Sequence, residues 1–102
     1  MILRSKDKDR LISIFEHASI PIEVWAYGSR VNGDAHEGSD LDLVIRSSNL
    51  EKLPVDFYLD LLEKIQESNI PIVVDLFDWA RLPETFQQNI TKKHVVLFKN
   101  YL

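Results

Sequence analysis

In the run Ser39-Asp40-Leu41-Asp42-Leu43-Val44-Ile45, acidic and apolar residues alternate before the chain turns wholly apolar. Side chains two apart on a strand project from one face, so Asp40 and Asp42 share a side while Leu41 and Leu43 point to a core. Two carboxylates held that close repel each other, and folding bears the cost unless a cation offsets it. Mg²⁺ suits such a place, since it takes a few carboxylate oxygens and fills its shell with water and phosphates. A third acid, Asp75, lies within Ile72-Val73-Val74-Asp75-Leu76-Phe77, where an unpaired buried carboxylate is expensive. If that segment is the neighbouring strand, three carboxylates converge, as two-metal phosphoryl or nucleotidyl transfer requires. The same alternation also describes any half-exposed strand, and Asp75 also fits a strand end facing water. An EF-hand is excluded, because Leu43-Val44-Ile45 stands where that loop needs ligands and a glycine.

The flanking chain supplies the partners of this strand. Residues 5–18 have a helical pattern, with Leu11, Phe15 and Ala18 on one face, Ile12 and Ile14 beside it, and Ser5 as N-cap. Ile20-Pro21 ends that helix, and Ile22 to Tyr27 is an apolar strand rich in β-branched and aromatic residues. A second helix spans 55–67, with Val55, Tyr58, Leu59, Leu62 and Ile65 as its apolar stripe and Asp60 and Lys64 paired four apart. Pro71 to Phe77 forms a third strand, Pro83 opens a helix that runs to Lys92, and Val95 to Phe98 is a short edge strand. This order predicts an α/β (α+β) fold, a small mixed sheet covered by helices, as a single domain over residues 1–102.

Between the first two strands lies Gly28-Ser29-Arg30-Val31-Asn32-Gly33, in the least apolar stretch of the chain. Gly28 permits a sharp turn and close approach of a phosphate to the backbone. Ser29 offers a hydroxyl and the first amides of a short helix, and Arg30 a bidentate phosphate contact. Asn32-Gly33 is equally a hairpin-turn signal, and without a Gly-Lys-Ser/Thr ending the segment is not a P-loop.

Composition narrows the remaining classes. The 102 residues are 45% hydrophobic and 27% charged, as in a folded domain rather than a disordered tail. There is no cysteine, hence no disulfide or thiolate metal site. No apolar run is long enough to span a membrane and the N-terminus is charged, so a cytoplasmic location is expected. The net charge of −4 argues against nucleic acid as a direct partner but leaves a metal-bridged nucleotide open.

Taken together, Gly28-Ser29-Arg30-x-x-Gly33, five residues, then Ser39-Asp40-Leu41-Asp42-Leu43, with Asp75 later, resembles the signature of polymerase-β-like nucleotidyltransferases. Within that superfamily the chain looks like the minimal nucleotidyltransferases, small domains often paired with HEPN proteins. The resemblance runs from about Val24 to Trp79. It implies that Asp40 and Asp42 bind two Mg²⁺ ions and that Asp75 completes the site and helps deprotonate the attacking hydroxyl. It further implies that Gly28 and Ser29 hold the triphosphate of ATP, supported by Arg30, Gly33 and Ser39. Such domains typically serve as antitoxins to a helical HEPN toxin, some by attaching AMP to a toxin tyrosine. That activity is the expectation here, with neutralisation by contact alone as the alternative and transfer to a small molecule such as an aminoglycoside as a third. Two departures weaken attraction to phosphate, namely Asn32 at an often basic position and the acidic loop 34–38. His17, His36 and His94 lack metal-ligand spacing and are expected to face solvent, and Trp25 and Trp79 to serve packing.

Overall fold

The computed structural model describes residues 1–36 and 38–102. Its elements are α1 (Ser5–Glu16), β1 (Ile22–Tyr27), α2 (Ser29–Asn32), β2 (Leu41–Ser47), α3 (Val55–Glu67), β3 (Val74–Asp78), α4 (Glu84–Lys92) and β4 (Val95–Lys99). A 3-10 turn, Trp79–Arg81, follows β3. The strands form one sheet in the order β3-β2-β1-β4. β1 runs antiparallel to both β2 and β4, whereas β2 and β3 are parallel. The expected mixed sheet with helical cover is therefore present, and no helix among the described residues is long and apolar enough to cross a membrane.

The period-two pattern divides the sheet into two unlike faces. Ile22, Val24 and Ala26 of β1 and Leu41, Leu43 and Ile45 of β2 pack with Leu11 and Phe15 of α1 and Leu61 and Ile65 of α3. On the opposite face Trp25, Tyr27 and Val44 meet Trp79 and Ile90 in a smaller cluster. Trp25 and Trp79 pack edge to face at 5.4 Å, and Arg46 lies over both rings at 4.0 and 4.6 Å while pairing with Glu23 at 3.3 Å. The tryptophans thus serve packing, as expected. His94 does not simply face solvent: its ring stacks on Trp25 at 3.8 Å, because β4 pairs beside Trp25 and brings the preceding residue over the indole.

Other local expectations shift for identifiable reasons. Arg4, not Ser5, is the N-cap of α1, and Asp7 in the first turn is buried against the Arg4 guanidinium at 2.9 Å. A carboxylate there also complements the helix dipole. The helix stops at Glu16, two residues short of the expected end, with His17 as C-cap. On α3 the predicted stripe is rotated. Leu61 and Ile65 are buried and Phe57, Tyr58 and Leu62 pack on the core, while Val55 and Leu59 are 56% and 51% exposed. Residues 55–65 carry two overlapping apolar faces, and only the sheet selects between them. Strand β3 begins at Val74 rather than Pro71, since the first ladder contact is Leu41 N–H to the Val73 carbonyl at 2.9 Å. It extends through Asp78, whose buried carboxylate accepts from Leu53 N–H at 2.9 Å, Ala80 N–H at 3.2 Å and Arg81 Nε at 3.2 Å.

These assignments make a direct prediction for urea unfolding. Leu43→Ala removes a fully buried side chain and should cost about 2–5 kcal/mol. Leu59→Ala, on the exposed face of α3, should stay within roughly 0.5 kcal/mol of the parent. Equal losses would place Leu59 in the core after all.

Candidate active site

The parallel ladder sets Asp42 directly beside Asp75, and the antiparallel ladder sets it beside Tyr27. Adjacent strands lie roughly 4.8 Å apart, so three polar side chains cross the sheet in one row. All lie on the face opposite Leu41 and Leu43. Burial first, then the charges of Asp75 and Asp40 and a hydrogen bond with Asp75, push the Asp42 carboxyl above its ordinary value. Burial, followed by the charges of Asp42 and Asp75, pushes the Tyr27 phenol up to about 12. In both groups burial is the first cause, and the neighbouring acids add to it.

Asp40 sits one residue before β2 and is exposed. It acts on Asp42 through charge, and among the described residues no three acidic or imidazole groups are drawn into an ion cage. The expected three-way convergence is thus a close pair with a third carboxylate standing off, because Asp40 lies outside the ladder that fixes the other two. The donor set fits a hard divalent cation. It consists of carboxylate oxygens, and a cation would offset the repulsion between Asp42 and Asp75.

Gly28 makes room for this arrangement. Its backbone adopts φ 79° and ψ −154°, and a Cβ there would fall 2.3 Å from Asp42 Oδ2. Only a residue without a side chain permits both the conformation and the approach. Ser29 then opens α2, whose first bonds run from Val31 and Asn32 N–H to the Gly28 carbonyl at 3.0 and 2.9 Å. Gly33 closes that helix in the left-handed conformation at φ 87°, facing open space.

Ser39 and Arg30 hold the loop between these elements. Ser39 Oγ accepts from His36 N–H at 3.0 Å, and the Ser39 carbonyl accepts from Arg30 Nε at 3.0 Å and Nη2 at 2.8 Å. Arg30 is 5% exposed, and its Nη1 donates to the Ile2 carbonyl at 2.7 Å. The direct phosphate contact expected of Arg30 therefore gives way to a positioning role, its guanidinium being engaged by backbone carbonyls. Of the acidic loop 34–38, Glu37 lies outside the described residues, and Asp34 is exposed. Tyr27 carries no motif in the sequence. Its signal was its place at the end of β1, immediately before Gly28-Ser29.

Two measurements test this geometry. Gly28→Ala should destabilise the fold by about 1–3 kcal/mol and displace the Asp42 carboxylate. Gly33→Ala, with no atom in its way, should cost only the left-handed backbone preference of roughly 1–2 kcal/mol and leave divalent-cation binding intact. Because the Asp42 pKa is raised on folding, the metal-free protein binds that proton more tightly than the unfolded chain does. Its stability contribution is therefore present at low pH and is lost as pH rises through the folded-state pKa. Asp42→Asn should raise the neutral-pH melting temperature by a few degrees in chelator, and the gain should fade as the buffer is acidified below the ordinary carboxylate range.

Known proteins place this geometry in a wider group. The sequence profile of the polymerase β nucleotidyltransferase family matches residues 9–101. A Haemophilus influenzae protein named probable protein adenylyltransferase MntA is 47% identical over 76 residues, which cover 72% of this chain. The matched part spans 63% of that relative's length. A chain from the crystal structure of a toxin–antitoxin with AMP-PNP superposes with a TM-score of 0.71 at 19% identity, covering 91% of this chain and 73% of that one. A chain from the toxin–antitoxin MntA-HepT gives 0.66 at 15% identity, covering 95% and 74%. These two likenesses speak to the fold, whereas the profile spans nearly the whole chain and includes the Gly28-Ser29 turn and all three aspartates. The chain belongs to the polymerase β nucleotidyltransferase family.

Proposed function

We propose that this chain is a Mg²⁺-dependent nucleotidyltransferase that moves AMP from ATP to a tyrosine of a HEPN-type helical toxin, acting as its antitoxin within a hetero-oligomer. The observation that carries this reading is the in-register pair Asp42 and Asp75 beside a glycine that gives way to the Asp42 carboxylate. The name of the Haemophilus relative and the toxin–antitoxin neighbours, one with an ATP analogue, support the choice of substrate and partner.

Asp40 and Asp42 would hold the Mg²⁺ ions, with Asp75 completing the site. Bound there, the ions neutralise phosphate charge and stabilise the attacking and leaving oxygens. Gly28 and Ser29 line the path of the triphosphate, and Gly33, Ser39 and Arg30 keep that turn in place. The tyrosine oxygen attacks the α-phosphorus, the bond from that phosphorus to the bridging oxygen breaks, and pyrophosphate leaves with the bonding electrons. Asp75, on the outer strand, takes the hydroxyl proton. The contribution of the protein is placement and charge, worth several kcal/mol in systems of this kind.

The test is to incubate the chain and its partner with ATP and Mg²⁺ and weigh both proteins intact. The partner should gain the mass of AMP, and Asp42→Asn or a chelator should lower the rate by at least about 100-fold. A toxin that is silenced without any mass gain would instead make this a contact-only antitoxin.

A further inference from the structure

A cleft of about 230 Å³ separates the turn after β1 from α4, lined among others by Tyr27, Gly28, Asn32, Phe86, Asn89 and Lys93. One wall is continuous with the carboxylate pair. Gly28 touches the space of Asp42 Oδ2, and Tyr27 pairs in register with Asp42 and feels the charge of both acids. The other wall is α4, anchored by Ile90 in the small cluster and by the edge-to-face contact of Phe86 with Tyr27 at 6.1 Å. Drug-sized ligands occupy roughly 300–1,000 Å³, so the cleft suits part of a nucleoside triphosphate rather than all of it.

Its chemistry indicates which part. Among the described residues, Lys93 is the one cationic side chain in the lining, and Asn32 and Asn89 add amide donors. A lysine is a mobile point charge suited to phosphate, and amides complete the donor set. Direction along the sheet agrees. The order β3-β2-β1-β4 puts the cleft on the β1 side of Asp42, and Asp75 on the other side. In-line displacement requires the entering and leaving oxygens to lie on opposite sides of phosphorus. With the acceptor hydroxyl at Asp75, the leaving group falls over the cleft.

We infer that Lys93, with Asn32 and Asn89, seats the β- and γ-phosphates of the nucleotide and neutralises the pyrophosphate as it departs. This rests on the nucleotidyltransferase reading and adds to it a residue outside the Gly-Ser and aspartate motifs. When the bond between the α-phosphorus and the bridging oxygen breaks, the electron pair stays on pyrophosphate, and the Lys93 ammonium is the side chain placed to meet that charge.

The experiment is calorimetric titration of the full chain with ATP and with AMP, each in Mg²⁺. Lys93→Ala should weaken ATP binding about tenfold or more while changing AMP binding less than about twofold. Lys93→Arg should recover most of the loss. Lys92→Ala, which removes a neighbouring charge outside the cleft lining, should alter neither. Melting temperatures should match, because Lys93 is exposed. Wild-type ATP affinity in Lys93→Ala would overturn the inference, as would equal losses for ATP and AMP, since the contact would then be with the nucleotide's near end. A parent chain that binds neither ligand, alone or with its partner, would instead overturn the nucleotidyltransferase reading itself.

Discussion

The pairing of Asp42 with Asp75 across a parallel ladder is unfavourable on its own, and the sheet holds it in place by burying what alternates with it. Leu41, Leu43 and Ile45 are wholly removed from solvent, and Leu76 nearly so. A slip of one residue between β2 and β3 would turn those side chains toward water and the acids toward the core. Register is thus fixed by hydrophobic burial, and electrostatic repulsion is its by-product. The raised pKa values of Asp42 and Tyr27 come first from burial and then from the acids gathered beside them.

The two faces of the sheet divide the labour. α1 and α3 cover one face with aliphatic packing, which carries the fold. The other face is only partly covered, by Ile90 of α4 and Trp79 of the 3-10 turn packed with Trp25, Tyr27 and Val44. Arg46 is held there between indoles and Glu23, so a cation is retained by stacking and one ion pair. Beside this smaller cluster Asp42, Asp75 and Gly28 stay half-buried rather than enclosed, while α4 is fixed close to Gly28. Partial cover is what allows a rigid sheet to carry a reactive edge.

Much of this was legible in the chain. Ile22–Tyr27 and Val55–Glu67 match their predicted bounds, because strong periodicity and flanking prolines mark them locally. The Gly28-Ser29 turn was legible from its glycine after a strand, and Asp40-Leu41-Asp42 from its period-two alternation. What depended on distant contacts was not. The carbonyl that Arg30 holds at Ile2 is 28 residues away in sequence, so its exchange of a phosphate role for a structural one leaves no local trace. Buried Asp78 accepts from Leu53, 25 residues off, and the face of α3 that packs inward is chosen by the sheet. Tyr27 acquires its shifted pKa only once the fold buries it and the sheet brings up Asp42 of β2 and, one strand further, Asp75 of β3.

A site of this kind stores cost in two forms, a glycine in a conformation closed to other residues and two carboxyl groups placed side by side across a ladder. Both are tolerable because the aliphatic core on the far face is complete without them. A bound cation would reverse the sign of the second cost, since carboxylate repulsion becomes attraction to a common charge. The free energy regained would then appear as affinity for cation and nucleotide together, because phosphate oxygens complete a shell that two or three carboxylates leave open. Proton and cation compete for the same oxygens, so acidification should weaken that affinity before it touches the core. The coupling follows from register alone, without any movement of the backbone.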